Sequence, residues 1–353
     1  MTDIKAFLMD ITAAHGISGY EMEVADMIIP VFKEYACDVR TDALGNVIAK
    51  LTGCEEQEGT RPKVMLAGHM DEIPMLVKQI DERGFIRFHA QGFDQRTLPS
   101  QEVVVHGKEK LIGIIGAKPP HLVPLAERTK AIKIEDMTID LGLSVDKVRE
   151  LVQVGDPITI NRRSMELKGN RIAGKAQDDR MGVAVILECF KQLKKLRFNA
   201  EVYGVATVQE EVGLRGATTA TYGIVPDIGI AIDVCHGEMP GVSEFDSIAM
   251  GKGPEVSFGA NIHPKVFERL VQVAKENNIA IHTDPTPAAT GTDAWAMQVS
   301  RAGVATAVVS VQQRYMHTSV ETLCYDDVVS AGRLLAYFIA SLDTAFVEGL
   351  TCY

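Results

Sequence analysis

The segment Val64-Met65-Leu66-Ala67-Gly68 is apolar at every position. It lacks the alternation expected of a strand with one face in water, so it reads as a strand buried on both faces. Val202–Val208, Ile228–Ile232 and Val304–Val311 read as strands of the same kind. Helical patterns accompany them. Ile4, Phe7, Leu8 and Ile11 recur at helical spacing, and a second helix runs through Met22, Ala25, Ile28 and Ile29, with Ser18 or Gly19 as its expected cap. A short strand is expected at Val47–Ala49, and further helices at Met181–Leu193, near Pro264–Glu276 and at Tyr325–Leu342. Together these segments make an α/β unit.

From about Ile73 to about Arg163 the texture changes. Short candidate strands at Phe85–His89, Glu102–Val105, Leu111–Ile115 and Ile158–Ile160 alternate with turn-rich, charged stretches, and one brief helix is expected at Val145–Val152. The chain of 353 residues exceeds the usual single-core size. The simplest organisation is a catalytic α/β domain of residues 1–72 plus 164–353, split by an inserted β-rich domain of residues 73–163.

Bulk properties exclude several classes. A net charge of −11 opposes a nucleic-acid partner, which needs a basic face. No apolar run approaches the roughly 20 residues of a membrane span. The N-terminus opens an amphipathic pattern rather than a signal peptide. Cys37, Cys54, Cys189, Cys235, Cys324 and Cys352 are scattered, without a C-x-x-C pair, and read as reduced thiols. A cytoplasmic location is expected.

The chemistry-bearing residues gather where the buried strands stop, which is where open α/β sheets bind ligands. The first strand runs into His69-Met70-Asp71, the second into Gln209-Glu210-Glu211, the third into Asp233, and the last leads through a short loop to His317. His69 and Asp71 are two apart and share a face of an extended chain. A histidine ligand commonly gives its second nitrogen to a carboxylate. Glu210 and Glu211 repel one another if both are buried without a cation. With Gly213 and Gly216 turning the backbone, one could bind metal while the other serves as general base. Asp178, at a helix start, has an ordinary reading as a capping residue. It could equally bridge two ions about 3.5–4 Å apart. An acid ending a buried strand, as Asp233 does, needs a partner. Nitrogen and oxygen ligands without cysteine suit zinc, cobalt or manganese.

The ordered set GHMDEI (68–73), GKAQDDRMG (174–182), TVQEEVGLRGA (207–217), IAIDV (230–234), GTDA (291–294) and RYMHTSVE (314–321) resembles the tetrahedral and glutamyl aminopeptidases, a family of dinuclear metallopeptidases. GISGYEMEV (16–24) and TDALGNVIA (41–49) are weaker echoes. The resemblance implies a mixed sheet between helix layers, a phosphorylase/hydrolase-like metallopeptidase domain, with a small β-barrel-like insert for dimerisation and lid functions. It implies two divalent ions per subunit, zinc or cobalt first and manganese next. Asp178 would bridge them, His69 and Asp233 would complete one site, and Glu211 and His317 the other. Glu210 would be the general base and Asp71 would orient His69. Peptides would be the substrates, and dimers would assemble into a homo-oligomeric dodecamer.

Cys235-His236-Gly237-Glu238 departs from the family pattern and makes His236 a candidate extra contact. Lys252 or Arg314 near the site would favour acidic substrates, and an apolar preference fits the sequence equally well. Three rival readings are a deacylase or amidohydrolase of N-acyl amino acids, which needs a cationic clamp, a metal-independent glycosidase, and a non-catalytic assembly protein.

Overall fold

A computed structural model of the chain describes residues 2–53 and 61–350. Cys54 and Cys352 lie outside the described residues; Cys37, Cys189, Cys235 and Cys324 are free thiols. No helix among the described residues is long and apolar enough to cross a membrane.

Among the described residues, eleven strands form one mixed sheet. Its centre is four parallel strands in the spatial order Glu201–Thr207, Lys63–His69, Ile228–His236 and Ala305–Arg314. The apolar runs explain this placement. Val64 and Leu66 point into a core shared with helices Ile4–Ala13, Met22–Lys33, Gln177–Leu193 and Tyr325–Ala340. Met65 and Ala67 point the other way, into a core made with helices Arg215–Ile224 and Asp293–Gln298. Each large aliphatic side chain contributes about 1.5–3 kcal/mol on burial, which places these runs between the two helix layers.

At one edge of this centre, Glu255–Gly259 pairs antiparallel with Ala305–Arg314 and parallel with His282–Thr286. Neither edge strand was expected, nor were helices Arg215–Ile224 and Asp293–Gln298. Each is short or only partly apolar.

Met75–Ile80, Ile86–Ala90, Glu102–His106, Lys110–Ile115, Ile139–Asp140 and Pro157–Ile160 close a six-stranded barrel. Val77, Phe88, Val103, Ile115 and Ile158 form its own core, and helix Val145–Leu151 adds Val148 and Leu151.

Three expectations change in detail. The strand containing Asp233 does not stop there but continues to His236, paired as far as Gln313. Asp233 nevertheless lies past the last residue paired with the His69 strand, Ala231, so its side chain clears that neighbour. Helix Met22–Lys33 has Glu21 at its N-cap, without a side-chain capping bond. Ser18 instead donates to Asp71 Oδ2 at 2.7 Å. A fully buried carboxylate gains more from a hydroxyl than a hydrated helix end does. Gly216 lies within helix Arg215–Ile224 rather than in a turn, and a Cβ there would meet the Val208 backbone at 2.5 Å.

Candidate metal centre

His69 ends its strand and is almost fully buried. Its position depends on a backbone crossing: a Cβ on Gly68 would sit 2.8 Å from the carbonyl carbon of Gly182, in helix Gln177–Leu193. The strand end and the helix start therefore meet without side chains between them. Asp178 and Asp179 have non-helical dihedrals, so the regular helix begins after them and the two carboxylates diverge. Asp179 accepts from the His69 and Gly182 backbone N–H groups, both at 3.1 Å. Asp178 faces outward between two histidines.

The distances are short. His69 Nε2 is 3.1 Å from Asp178 Oδ1, and His317 Nε2 is 3.2 Å from Asp178 Oδ2 and 3.4 Å from Glu211 Oε1. Two groups result, His69–Asp178–Asp233 and Asp178–Glu211–His317, each with its ligand atoms within 4.8 Å of one another. Glu210 Oε2 lies 3.9 Å from His69 Nε2. All six residues come together around one space.

Other residues hold them. Asp71 accepts the backbone N–H groups of Glu210 at 3.0 Å and Glu211 at 3.3 Å. Its own carbonyl oxygen is 3.1 Å from His69 Nδ1, closer than its carboxylate at 3.5 Å. Glu21 takes the Gln209 N–H at 3.1 Å. Sequence reasoning assigned no role to Glu321, although it closes the RYMHTSVE stretch. Its Oε1 accepts from His317 N at 2.9 Å, and its Oε2 from Gln177 N at 2.7 Å and Asp178 N at 3.2 Å. Arg180 was missed too. Fully buried, it donates to the carbonyls of Ile11, Ala14, Gly16 and Met70 and to Glu72, using every N–H it has. Lys175 completes that buried cluster, 2.7 Å from Glu72 Oε1. The adjacency of Asp-Asp-Arg and of Asp-Glu in the motifs was the available signal.

Residues 45–334 match the model of the M42 glutamyl aminopeptidase family. The chain belongs to this family. It is 36% identical over 333 residues to a lysyl aminopeptidase of Pyrococcus furiosus, covering 93% of this chain and 94% of that one. Among solved structures it is similar to a TET aminopeptidase from the marine sediment archaeon Thaumarchaeota archaeon SCGC AB-539-E09, with a TM-score of 0.92, 34% identity and 99% of both chains covered. It is also similar to the TET1 peptidase of Pyrococcus horikoshii, described as assembling into a tetrahedron or a large octahedral shell. That match has a TM-score of 0.83, 32% identity, and covers 96% of this chain and 100% of that one.

M42 peptidases are metallopeptidases, and the electrostatics of this member fit cations. Burial pushes the Glu210 carboxyl up to about 10, with Asp233 and Asp293 adding to the rise. Burial, then the charge of Asp178, holds Asp233 well above the usual carboxylate range. Hydrogen bonds to Asp178 and Glu211 raise His317 to about 11. Burial opposes a charge on His69, yet its bonds to Asp178 and Asp71 outweigh that and keep it protonated well above its ordinary range. The polypeptide alone must retain protons to keep these groups together. Divalent cations would take the place of those protons, and two imidazoles with three carboxylates suit them.

A cavity of about 700 Å³ opens over the six residues and extends past Cys235 and His236 to Glu255, Ser257 and Asp284. Lys252 and Arg314 do not line it. Lys252 is exposed, and Arg314 is 3.2 Å from Glu238.

Proposed function

We propose that this M42 peptidase removes N-terminal residues from peptides by two-metal hydrolysis, with Glu210 as general base. One observation carries the reading: Asp178 turns one carboxylate oxygen to His69 and the other to His317. His69, Asp178 and Asp233 would hold one ion and Asp178, Glu211 and His317 the other, and ions so held lower the pKa of water and polarise carbonyls. Glu210 takes the proton of the attacking water and returns it to the leaving amine. Asp71 fixes the loop that carries Glu210. Asp178, Glu211 and Asp233 supply negative charge for the ions and for a substrate ammonium.

Residues 1–72 plus 164–353 would form the catalytic domain, and the barrel within residues 73–163 a dimerisation and lid domain. The likeness to TET peptidases, one of them described as a dodecamer, supports a large homo-oligomer. Zinc or cobalt, then manganese, are the proposed metals, and the cytoplasm the proposed location. The deacylase alternative needs a cation for the substrate carboxylate, and no Lys or Arg lines the cavity among the described residues.

An aminoacyl-anilide panel on chelated and metal-restored protein tests this. Free-amine anilides should be cleaved only after metal is restored. Preference for N-acetylated substrates would favour the deacylase, and activity unaffected by chelation would reject the metal mechanism.

A further inference from the structure

Four strands in register carry the wall of the cavity from the metal centre outward. Asp233 pairs with Ser310, and Ser310 on its other side pairs with Glu255. Ser257, two residues on, pairs with Asp284. Paired residues of neighbouring strands project to one face, so Asp233, Ser310, Glu255, Ser257 and Asp284 share a single surface. At about 4.8 Å per strand, Glu255 lies about 10 Å across the sheet from Asp233. A long side chain anchored at the metal centre spans that distance, and a short one does not.

The chemistry of this far end is one-sided. Glu255 is only 5% exposed, yet it lines the cavity. Its Oε1 accepts the Ser257 hydroxyl at 2.7 Å, and no Lys or Arg pairs with it among the described residues. Asp284 and the exposed Asp246 add negative charge to the same cavity. None of the three belongs to either metal-competent group. Burial raises the Glu255 pKa above the usual carboxylate range, and Asp284 contributes to the rise. A buried carboxylate without a cation is costly, and an arriving cation removes that cost. An anionic side chain would meet repulsion, and a neutral one would add no countercharge to the hydrogen bonds that Ser257 and Cys235 give Glu255.

We infer that Glu255, assisted by Asp284, selects substrates whose N-terminal residue carries a cationic side chain, lysine or arginine. This rests on the aminopeptidase reading and specifies its substrate. The ammonium or guanidinium would lie on the Glu255–Asp284 wall, while the scissile carbonyl sits among His69, Asp178 and Glu210.

The test compares kcat/KM on metal-reconstituted protein for lysyl, arginyl, norleucyl and glutamyl p-nitroanilides. Norleucine keeps the length of lysine without its charge. The lysyl and arginyl substrates should exceed the norleucyl one by about tenfold or more, the worth of one partly buried charge contact. The glutamyl substrate should be slowest. Glu255→Gln should lower the lysyl-to-norleucyl ratio about tenfold, and Asp284→Asn should lower it less. A norleucyl or glutamyl substrate cleaved faster than the lysyl one overturns the assignment and leaves the aminopeptidase reading standing. So does a ratio that neither variant moves. If no free-amine anilide is cleaved, the aminopeptidase reading fails, and calorimetry decides the pocket. Lysinamide binding more tightly than norleucinamide, with the difference lost in Glu255→Gln, supports it; equal binding overturns it.

Discussion

The backbone N–H of Glu210 donates to Asp71 Oδ1 at 3.0 Å, across 139 positions of sequence. Asp71 Oδ2 meanwhile takes the Glu211 N–H and the Ser18 hydroxyl. One buried carboxylate therefore ties the end of the His69 strand to the loop that presents both glutamates. The hydrogen bonds of the Asp71 side chain fix where the proposed base stands, while its carbonyl oxygen is the nearer contact of His69.

Asp71→Asn should place an amide N–H against one of those backbone N–H groups and loosen the loop. We expect kcat to fall about 10–100-fold with a smaller change in KM, the usual cost of losing an outer-shell partner at a metal site. Steady-state kinetics with metal analysis on the same samples checks this. An unchanged kcat would show that the clamp is dispensable.

Glu210 and Glu211 should fail differently although they are neighbours. Glu210→Gln removes the proposed proton acceptor and should lower kcat by about 10²–10⁴ with metal content retained. Glu211→Gln should release metal on dialysis, because Glu211 shares the second group with Asp178 and His317. Metal analysis alongside activity separates them; parallel metal loss in both variants would reject the division of roles.

Glu321→Gln tests a residue whose hydrogen bonds hold the backbone N–H groups of two proposed ligands, Asp178 and His317. Its oxygens accept three N–H groups, and glutamine keeps only one of those oxygens. The unsatisfied buried group should cost about 1–3 kcal/mol of stability. Thermal unfolding should shift down and chelators should strip metal at lower concentration. A variant with parental Tm and chelator resistance would remove Glu321 from the scaffold of the site.

The junction between the barrel and the segment after helix Ile4–Ala13 should be sensitive to acid. His15 Nδ1 and His106 Nε2 share the Thr159 hydroxyl, at 2.6 and 2.9 Å. Burial, then the charge of Lys175, lowers the His15 pKa from 6.5 to about 4. The unfolded chain therefore binds a proton below about 6.5 that the folded chain refuses until about 4. Stability should drop as pH falls through that window and be insensitive to His15 above it. His15→Gln should flatten the dependence of Tm on pH there; an equally steep fall in the variant would exclude His15 as its source.

Most of the central sheet was legible because burial on both faces leaves a local mark, an unbroken apolar run such as Val64–Gly68. The helix Pro264–Glu276 appears with the expected bounds, since one stripe of Val266, Leu270 and Val273 meets the core. Glu255–Gly259 left no such mark. Only Val256 of its five residues joins a core cluster, and Glu255 is a buried charged residue at the border of a cavity.

The sequence by itself determined the central buried strands, the longer helices, a β-rich insert and the residues with metal-binding chemistry, because side-chain type and period decide what can be buried. Only the tertiary structure decided which of those residues meet. Asp178 reaches His69 across 109 positions because two glycines let a strand end touch a helix start. Glu321 reaches back to Asp178, and strand register sets Glu255 on the same face as Asp233. Such contacts depend on register and backbone approach, which carry no local signal in the chain.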